Sequence, residues 1–172
     1  MATRIDGKAL AAKVKAQVAE KAAKLPRQPG LAVVLVGEDP ASQVYVRGKE
    51  ADCGECGIRS FPYRLPTETI QRELLDLIEK LNRDPAVDGI LVQLPLPEPL
   101  EEAAVIAAIA PEKDVDCFHP YNVGRLNIGD PVFQPCTPAG VMEMLQEYGI
   151  SPAGKRCVVL GSVGSAAGRL LM

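Results

Sequence analysis

The stretch Leu31-Ala-Val-Val-Leu-Val-Gly-Glu-Asp-Pro40 decides the fold of this chain, because a strand pattern gives way there to a helix pattern. Residues 31–36 form an uninterrupted apolar run of strand length, which predicts a strand buried on both faces. Asp39 suits a helix cap and Pro40 suits a first helical turn, so we predict a helix that starts here and closes near Gly57. A buried strand followed directly by a helix is typical of a parallel α/β sheet.

Apolar residues on either side of this stretch continue the pattern. Residues 7–24 predict an amphipathic helix after the cap Asp6, and residues 58–65 and 89–94 predict two more strands, with a helix capped by Thr67 between them. The inner face of the first helix is expected to carry Leu10, Val14, Val18, Ala22 and Leu25. The inner face of the helix after Thr67 is expected to carry Ile70, Leu74, Leu75, Ile78 and Leu81. This alternation predicts the α/β class, with a three-layer open parallel sheet flanked by helices.

The last part of the chain is less regular. Residues 95–134 show little periodicity apart from a short helix expected at 100–109. Residues 137–149 predict a helix, because Thr-Pro suits its start and glycine suits its end. Residues 155–160 predict a new strand that runs into a glycine-rich turn, as at the start of a Rossmann-like nucleotide-binding domain.

Composition excludes several classes of protein. The 172 residues carry 19 basic and 22 acidic side chains, and a net charge of −3 gives no general attraction to nucleic acid or an acidic membrane. No apolar run approaches the roughly 20 residues of a membrane span. Five scattered cysteines favour free thiols in a reducing cytoplasm, and the single CxxC pair lacks a second pair to complete a zinc site, so no metal is expected.

Tyr45 and Lys49 stand four residues apart on the helix that follows the first strand, so they share one helix face. A lysine amine can do acid/base work near neutral pH if burial or positive charge disfavours its protonated form. The alternative is a solvated lysine beside a core tyrosine. Gln93 ends a predicted strand, and ligands of open α/β sheets bind beyond such carboxyl ends. Topology alone therefore lets Gln93 meet the Tyr45/Lys49 helix.

Three motifs together carry a family resemblance. They are the Tyr45/Lys49 helix, Val87-Asp-Gly-Ile-Leu-Val-Gln-Leu-Pro-Leu-Pro97, and Pro111-Glu-Lys-Asp-Val-Asp-Cys-Phe-His-Pro120 followed by Asn122-Val-Gly-Arg-Leu126. In order and spacing they closely resemble the bifunctional methylenetetrahydrofolate dehydrogenase/methenyltetrahydrofolate cyclohydrolase family, from about residue 4 to about residue 161. The resemblance implies NADP-dependent oxidation of 5,10-methylenetetrahydrofolate, then hydrolysis of the methenyl product to 10-formyltetrahydrofolate.

The resemblance also implies roles for individual residues. Lys49 would be the acid/base group, Gln93 would hold its amine, Tyr45 would offer a ring face and hydroxyl to the substrate, and Asp116 would bind the pterin edge. The substrate-binding residues would be Tyr45, Val46, Lys49, Val92, Gln93, Leu94 and Asp116. Alternatives remain open: Ser42 supports the site or is a turn hydroxyl, Asp114 replaces Asp116, and the lone His119 is catalytic or a loop polar group.

The resemblance further implies a domain division. Residues 1–136 would be the folate-binding catalytic domain, residues 137–149 a linker helix, and residues 150–172 the start of a truncated NADP-binding Rossmann domain. Its cofactor-binding residues would be Gly161, Ser162, Val163 and Gly164. The family's turn reads Gly-Arg-Ser-x-x-Val-Gly-x-Pro, and this chain is about two residues shorter there. We therefore expect the dehydrogenase step to be doubtful for this chain.

Two other functions compete with the enzyme. One is a non-catalytic folate-binding fragment, and the other is an unrelated nucleotide-binding α/β module. Members of the family are typically homodimers that pair largely through the cofactor domain, so a dimer of this chain is doubtful. The expected partner is a small tetrahydrofolate derivative in the cytoplasm, with no nucleic acid and no membrane.

Overall fold

A three-stranded parallel sheet lies at the centre of the computed structural model, which describes residues 4–156 and 158. The strands are β1 (Gly30–Val36), β2 (Arg59–Leu65) and β3 (Gly89–Val92). The helices are α1 (Gly7–Ala22), α2 (Pro40–Glu55), α3 (Gln71–Arg83), α4 (Glu102–Ala108), α5 (Pro120–Asn127) and α6 (Cys136–Glu147), with a 3-10 turn at Pro111–Lys113. The predicted α/β class and parallel sheet are confirmed.

The strand order is β2-β1-β3, so β1 is the central strand and pairs on both edges. This position explains its continuous apolar sequence, because every residue of β1 except Leu31 is buried. Gly30 begins the strand where no side chain fits, since a Cβ would lie 2.0 Å from the carbonyl oxygen of Ala86. The predicted burial of the strand on both faces is correct.

Alternate residues of β1 enter two separate cores. Ala32, Val34 and Val36 pack with the inner faces of α3 and α4, among them Leu74, Ile78 and Val105. Val33 and Leu35 pack on the opposite face with Val46 of α2 and Leu91 of β3. Helices therefore cover both faces of the sheet, and α2 lies over the second core. Helix α1 contacts both α2 and α6.

Several local predictions need correction. Helix α3 starts at Gln71 rather than after Thr67, because a turn closes first between Thr69 and Pro66 and Glu73 accepts from the Ile70 amide at 3.2 Å. Ile70 is consequently exposed, and so is Leu25, which lies beyond the end of α1. Residues 95–134, predicted as mostly irregular, also contain α5. This helix starts at Pro120, and the His119 side chain caps it.

The end of α6 agrees with the sequence, since Gly149 follows it with a φ of +66° and accepts the left-handed turn without strain. The strand predicted at 155–160 is described only at residues 155, 156 and 158, and the glycine-rich turn after it lies outside the described residues. The proposed domain division stays a prediction for the same reason. Within residues 4–156, no helix is long and apolar enough to cross a membrane.

Candidate functional site

The candidate site lies at the carboxyl edge of the sheet, between β1 and β3. Helix α2 leaves the end of β1 through Gly37, whose φ of +81° turns the chain, and Asp39 caps it by accepting from the Ser42 amide at 2.7 Å. Gln93 follows β3, and its backbone N–H still donates to the Val34 carbonyl of β1 at 2.8 Å. Strand order reverses at this crevice, and ligands of open parallel sheets bind at such a point.

Lys49 and Gln93 meet there. The Lys49 Nζ donates to Gln93 Oε1 at 3.1 Å, although 44 residues separate the two in sequence. The Gln93 Nε2 donates to the Leu94 carbonyl at 2.7 Å, so the amide is held at both ends and its oxygen must face the amine. Both side chains are half-buried. The contact predicted for this pair is present.

The other predicted substrate-binding residues differ in their exposure. Tyr45 is 66 % exposed on α2, so its ring is free to contact a flat ligand. Val46 and Val92 are buried and pack into opposite cores, and half-buried Leu94 packs against the same core as Val92. Ser42 is buried, and its amide takes part in the helix cap. The structure therefore leaves Tyr45 as the exposed contact surface on α2 beside Lys49.

Asp116 is the carboxylate on which the charge of Lys49 acts. Burial raises the pKa of Asp116, the positive charge of Lys49 opposes that rise, and the charge of Asp114 adds to it. The Asp114 carboxylate is buried and accepts from the Phe118 and His119 amides at 3.2 and 2.9 Å. Asp114 is thus occupied inside its loop, which leaves Asp116 as the better candidate for a ligand-binding carboxylate.

His119 acts as a helix cap in the structure. Its Nδ1 accepts from the Tyr121 amide at 3.1 Å at the start of α5, where Pro120 occupies the first turn. This contact supports the interpretation of His119 as a loop polar group rather than a catalytic residue.

Sequence reasoning did not single out Cys136, the first residue of α6. Cys136 is exposed, but partial desolvation by its neighbours raises the pKa of its thiol, the charge of Asp116 raises this pKa further, and the charge of Lys49 lowers it. Both charged groups of the site therefore act on this thiol. The only signal in the sequence was a cysteine within the helix start Pro135-Cys-Thr-Pro138.

A cavity of about 480 Å³ lies on the other flank of α2, over the carboxyl ends of β1 and β2. Its lining includes Gln43, Arg47 and Arg64, and none of the residues predicted for the folate site. We assign the site to the β1/β3 crevice, because the paired Lys49 and Gln93 lie there. Among the described residues, no cluster of His, Cys, Asp or Glu could hold a metal ion.

Replacing Asp116 with asparagine is expected to stabilise the fold at neutral pH. The folded-state pKa of Asp116 lies above its ordinary 3.8, so the unfolded chain ionises first; stability is lost as the pH rises from 3.8 to the folded-state pKa, and the full cost remains at higher pH. Urea unfolding of both chains should show the larger free energy for Asp116→Asn at pH 7, with the difference shrinking as the pH falls toward 4. A less stable variant at pH 7 would contradict the argument.

The candidate site thus brings a lysine, an amide and a half-buried carboxylate to the switch point of an open parallel α/β sheet, where domains of this class bind ligands. Residues 5–116 match the model of the tetrahydrofolate dehydrogenase/cyclohydrolase catalytic domain. The chain belongs to this tetrahydrofolate dehydrogenase/cyclohydrolase family.

Individual relatives agree with this assignment. The bifunctional protein FolD of Geotalea daltonii is 60% identical over 164 residues, which are 94% of this chain and 59% of the relative. The crystal structure of the FolD methylenetetrahydrofolate dehydrogenase/cyclohydrolase from Campylobacter jejuni superposes with a TM-score of 0.94 at 48% identity, covering 98% of this chain and 61% of that one.

A further solved structure is that of the Trypanosoma brucei FolD, complexed with NADP cofactor and inhibitor. It gives a TM-score of 0.93 at 40% identity and covers 99% of this chain and 59% of that one. The chain therefore spans about three fifths of the length of the relatives that it matches.

Proposed function

We propose that this chain binds 5,10-methenyltetrahydrofolate in the β1/β3 crevice and hydrolyses it to 10-formyltetrahydrofolate. The observation that carries the proposal is the 3.1 Å contact between Lys49 Nζ and Gln93 Oε1, with the Lys49 charge also acting on the half-buried carboxyl of Asp116. A relative from Geotalea daltonii is named bifunctional FolD, which supports the same chemistry.

The side chains of Lys49 and Gln93 suit the proton transfers of this hydrolysis. Water must form a bond to the electrophilic bridging carbon and give up a proton, and the Lys49 amine would accept that proton as general base. The resulting hydroxyl then loses its proton while the bond from this carbon to one ring nitrogen breaks and that nitrogen takes up a proton. Lys49 can pass protons in both steps, because Gln93 keeps its amine at one place.

Substrate orientation falls to Tyr45 and Asp116 in this proposal. The exposed ring of Tyr45 offers a face for a flat heterocycle, one helical turn from Lys49. A carboxylate at Asp116 would accept two parallel N–H bonds from the pterin edge, which gives both strength and orientation. Its raised pKa predicts tighter binding as the pH rises and the carboxylate forms.

The dehydrogenase step and its NADP belong to the wider proposal. The relative from Trypanosoma brucei is described with an NADP cofactor. Gly161, Ser162, Val163 and Gly164 were predicted to bind this cofactor and fall outside the described residues. In this wider proposal the residues of the β1/β3 crevice would form the folate half of such a site. Cytoplasmic location is proposed from the free thiols, and a homodimer is not proposed.

The test is a spectroscopic assay of the purified chain without NADP. Methenyltetrahydrofolate absorbs light and its hydrolysis product does not absorb at the same wavelength, so the loss of absorbance reports the reaction directly. We expect decay that rises in proportion to the protein concentration and saturates with substrate. Decay no faster than in buffer, with the chain shown to be folded by circular dichroism, would contradict the proposed hydrolysis and leave a binding fragment.

Replacing Gln93 with leucine should test the support of the lysine. The change keeps similar volume but removes the acceptor of the Lys49 Nζ, a charged hydrogen bond worth about 1.5–3 kcal/mol. We expect kcat to fall by roughly 10- to 100-fold, with a smaller change in KM. Gln71→Leu is the matched control: it removes an acceptor of the Glu101 amide at 2.9 Å, at the start of α3 and not in the crevice, and should keep the original rate. Equal kcat in the Gln93 variant would remove the role assigned to this amide.

A further inference from the structure

The loop of residues 114–119 is closed around one buried carboxylate. Asp114 is 2% exposed, and its oxygens accept from the amides of Phe118 at 3.2 Å and His119 at 2.9 Å. The loop therefore returns on itself, with residues 115–117 between the carboxylate and the amides that it binds. Asp116 lies in the middle of this closed loop.

A second buried side chain completes the network. Asn122, 1% exposed at the start of α5, donates through its Nδ2 to the Asp114 Oδ2 and to the Pro111 carbonyl, both at 2.8 Å. Two backbone amides and one side-chain amide thus surround the Asp114 carboxylate. Such donors stabilise a buried carboxylate, whereas the loss of a donor leaves part of its charge uncompensated.

The start of the loop is also attached to the sheet. Asp114 forms a parallel bridge with Ile90 of β3, the strand that leads to Gln93. Val115 fills the space above Gly89, where an added Cβ would lie 2.5 Å from the Val115 Cγ1. Cys117 is fully buried with a φ of +58°, a left-handed conformation that a non-glycine residue adopts only when its surroundings impose it.

We propose that Asp114, supported by Asn122, is a positioning residue that sets the Asp116 carboxylate toward Lys49 and the substrate. The inference rests on the proposed function, since it names what holds the substrate-binding carboxylate in place. Asp114 does not contact substrate in this arrangement, because its oxygens are occupied inside the loop. Its effect passes through the backbone of residues 115–117, which the network and the sheet contact hold from both sides.

The test uses two variants of the full chain. Asp114→Asn removes the charge and one acceptor, and Asn122→Ala keeps the charge but removes the side-chain donor. Both are expected to raise the KM for methenyltetrahydrofolate about tenfold or more, with a smaller fall in kcat, because misplacement of a binding group weakens substrate orientation. Thr69→Val is the matched control: it removes a buried 2.7 Å hydrogen bond to Pro66 far from the loop and should leave KM unchanged.

A second readout separates positioning from stability. Burial raises the pKa of Asp116, so a loop that relaxes into solvent should lower this pKa, measured by carboxyl ¹³C NMR against pH. Asn122→Ala is decisive here because it keeps the Asp114 charge, and Thr69→Val should leave the titration of Asp116 in place. Unchanged KM and unchanged Asp116 titration in a folded Asn122→Ala chain would overturn the inference.

The two proposals fail in different ways. If the unmodified chain does not hydrolyse the substrate, the proposed function fails, and the NMR titration alone then decides the positioning role. If Asp114→Asn does not fold, Asn122→Ala supplies both measurements, and an equal rise in KM for Thr69→Val would show that lost stability, not positioning, explains the result.

Discussion

Replacing Lys49 with methionine is expected to slow methenyltetrahydrofolate hydrolysis by about 10²- to 10⁴-fold, the usual contribution of a positioned acid/base group. Methionine matches the length of the lysine stem but has no proton to exchange, so the Gln93 oxygen loses its partner and the water loses its base. The fold should survive, because Lys49 is half-buried at the edge of the crevice and belongs to neither core.

The matched control is Lys15→Met. Lys15 lies on α1, where its Nζ pairs with Asp52 at 3.0 Å and Glu55 at 2.5 Å, away from the candidate site. Hydrolysis should therefore continue at the original rate in this control. Rates would be followed by loss of absorbance, with circular dichroism and thermal unfolding recorded for each chain. A folded Lys49→Met chain that hydrolyses as fast as the original would exclude Lys49 as the acid/base group.

Replacing Gly30 with alanine is expected to have the largest effect on stability. The new Cβ would lie 2.0 Å from the Ala86 carbonyl oxygen and 2.8 Å from the Phe61 ring. The Ala86 group cannot simply rotate away, because the neighbouring Asp88 amide donates to the Gly30 carbonyl at 2.8 Å and its carboxylate accepts from the Gly30 amide at 2.8 Å. We expect a loss of about 3 kcal/mol or more in the free energy of unfolding.

The matched control for this prediction is Gly48→Ala. Gly48 lies inside α2, and an added Cβ would contact nothing within 4 Å. Alanine should therefore stabilise this helix by about 0.5–1 kcal/mol, since glycine is a poor helix former. Urea unfolding of the three chains checks both values, and a Gly30→Ala chain as stable as the original would contradict the close contact at the start of β1.

The sheet and its main helices could be predicted because their signals are local. The apolar run of β1, the Asp39-Pro40 helix start and the left-handed glycine after α2 each act within a few residues, and each is present where expected. The strand order β2-β1-β3 could not be predicted, because right-handed crossovers also allow the sequential order β1-β2-β3.

Local signals failed where two of them competed. Threonine is a residue type that often caps helices, so Thr67 was predicted to start α3. The turn between Pro66 and Thr69 instead places the start of α3 at Gln71. Helix α5 is only eight residues long, and its cap His119 is also tied to Asp114 through its amide. Its start is fixed by these local contacts, and a segment this short shows no helical periodicity that could indicate it.

The sequence alone determined the class of fold, the shared face of Tyr45 and Lys49 on α2, and the candidate identity of Gln93 and Asp116. Only the tertiary structure decided that the Lys49 amine meets the Gln93 oxygen, and that the loop encloses Asp114 while the charge of Lys49 acts on Asp116. The physical reason is range: periodicity and caps act over a few residues, whereas these contacts join side chains 44 and more residues apart. They depend on how neighbouring strands align and on which carboxylate the loop encloses.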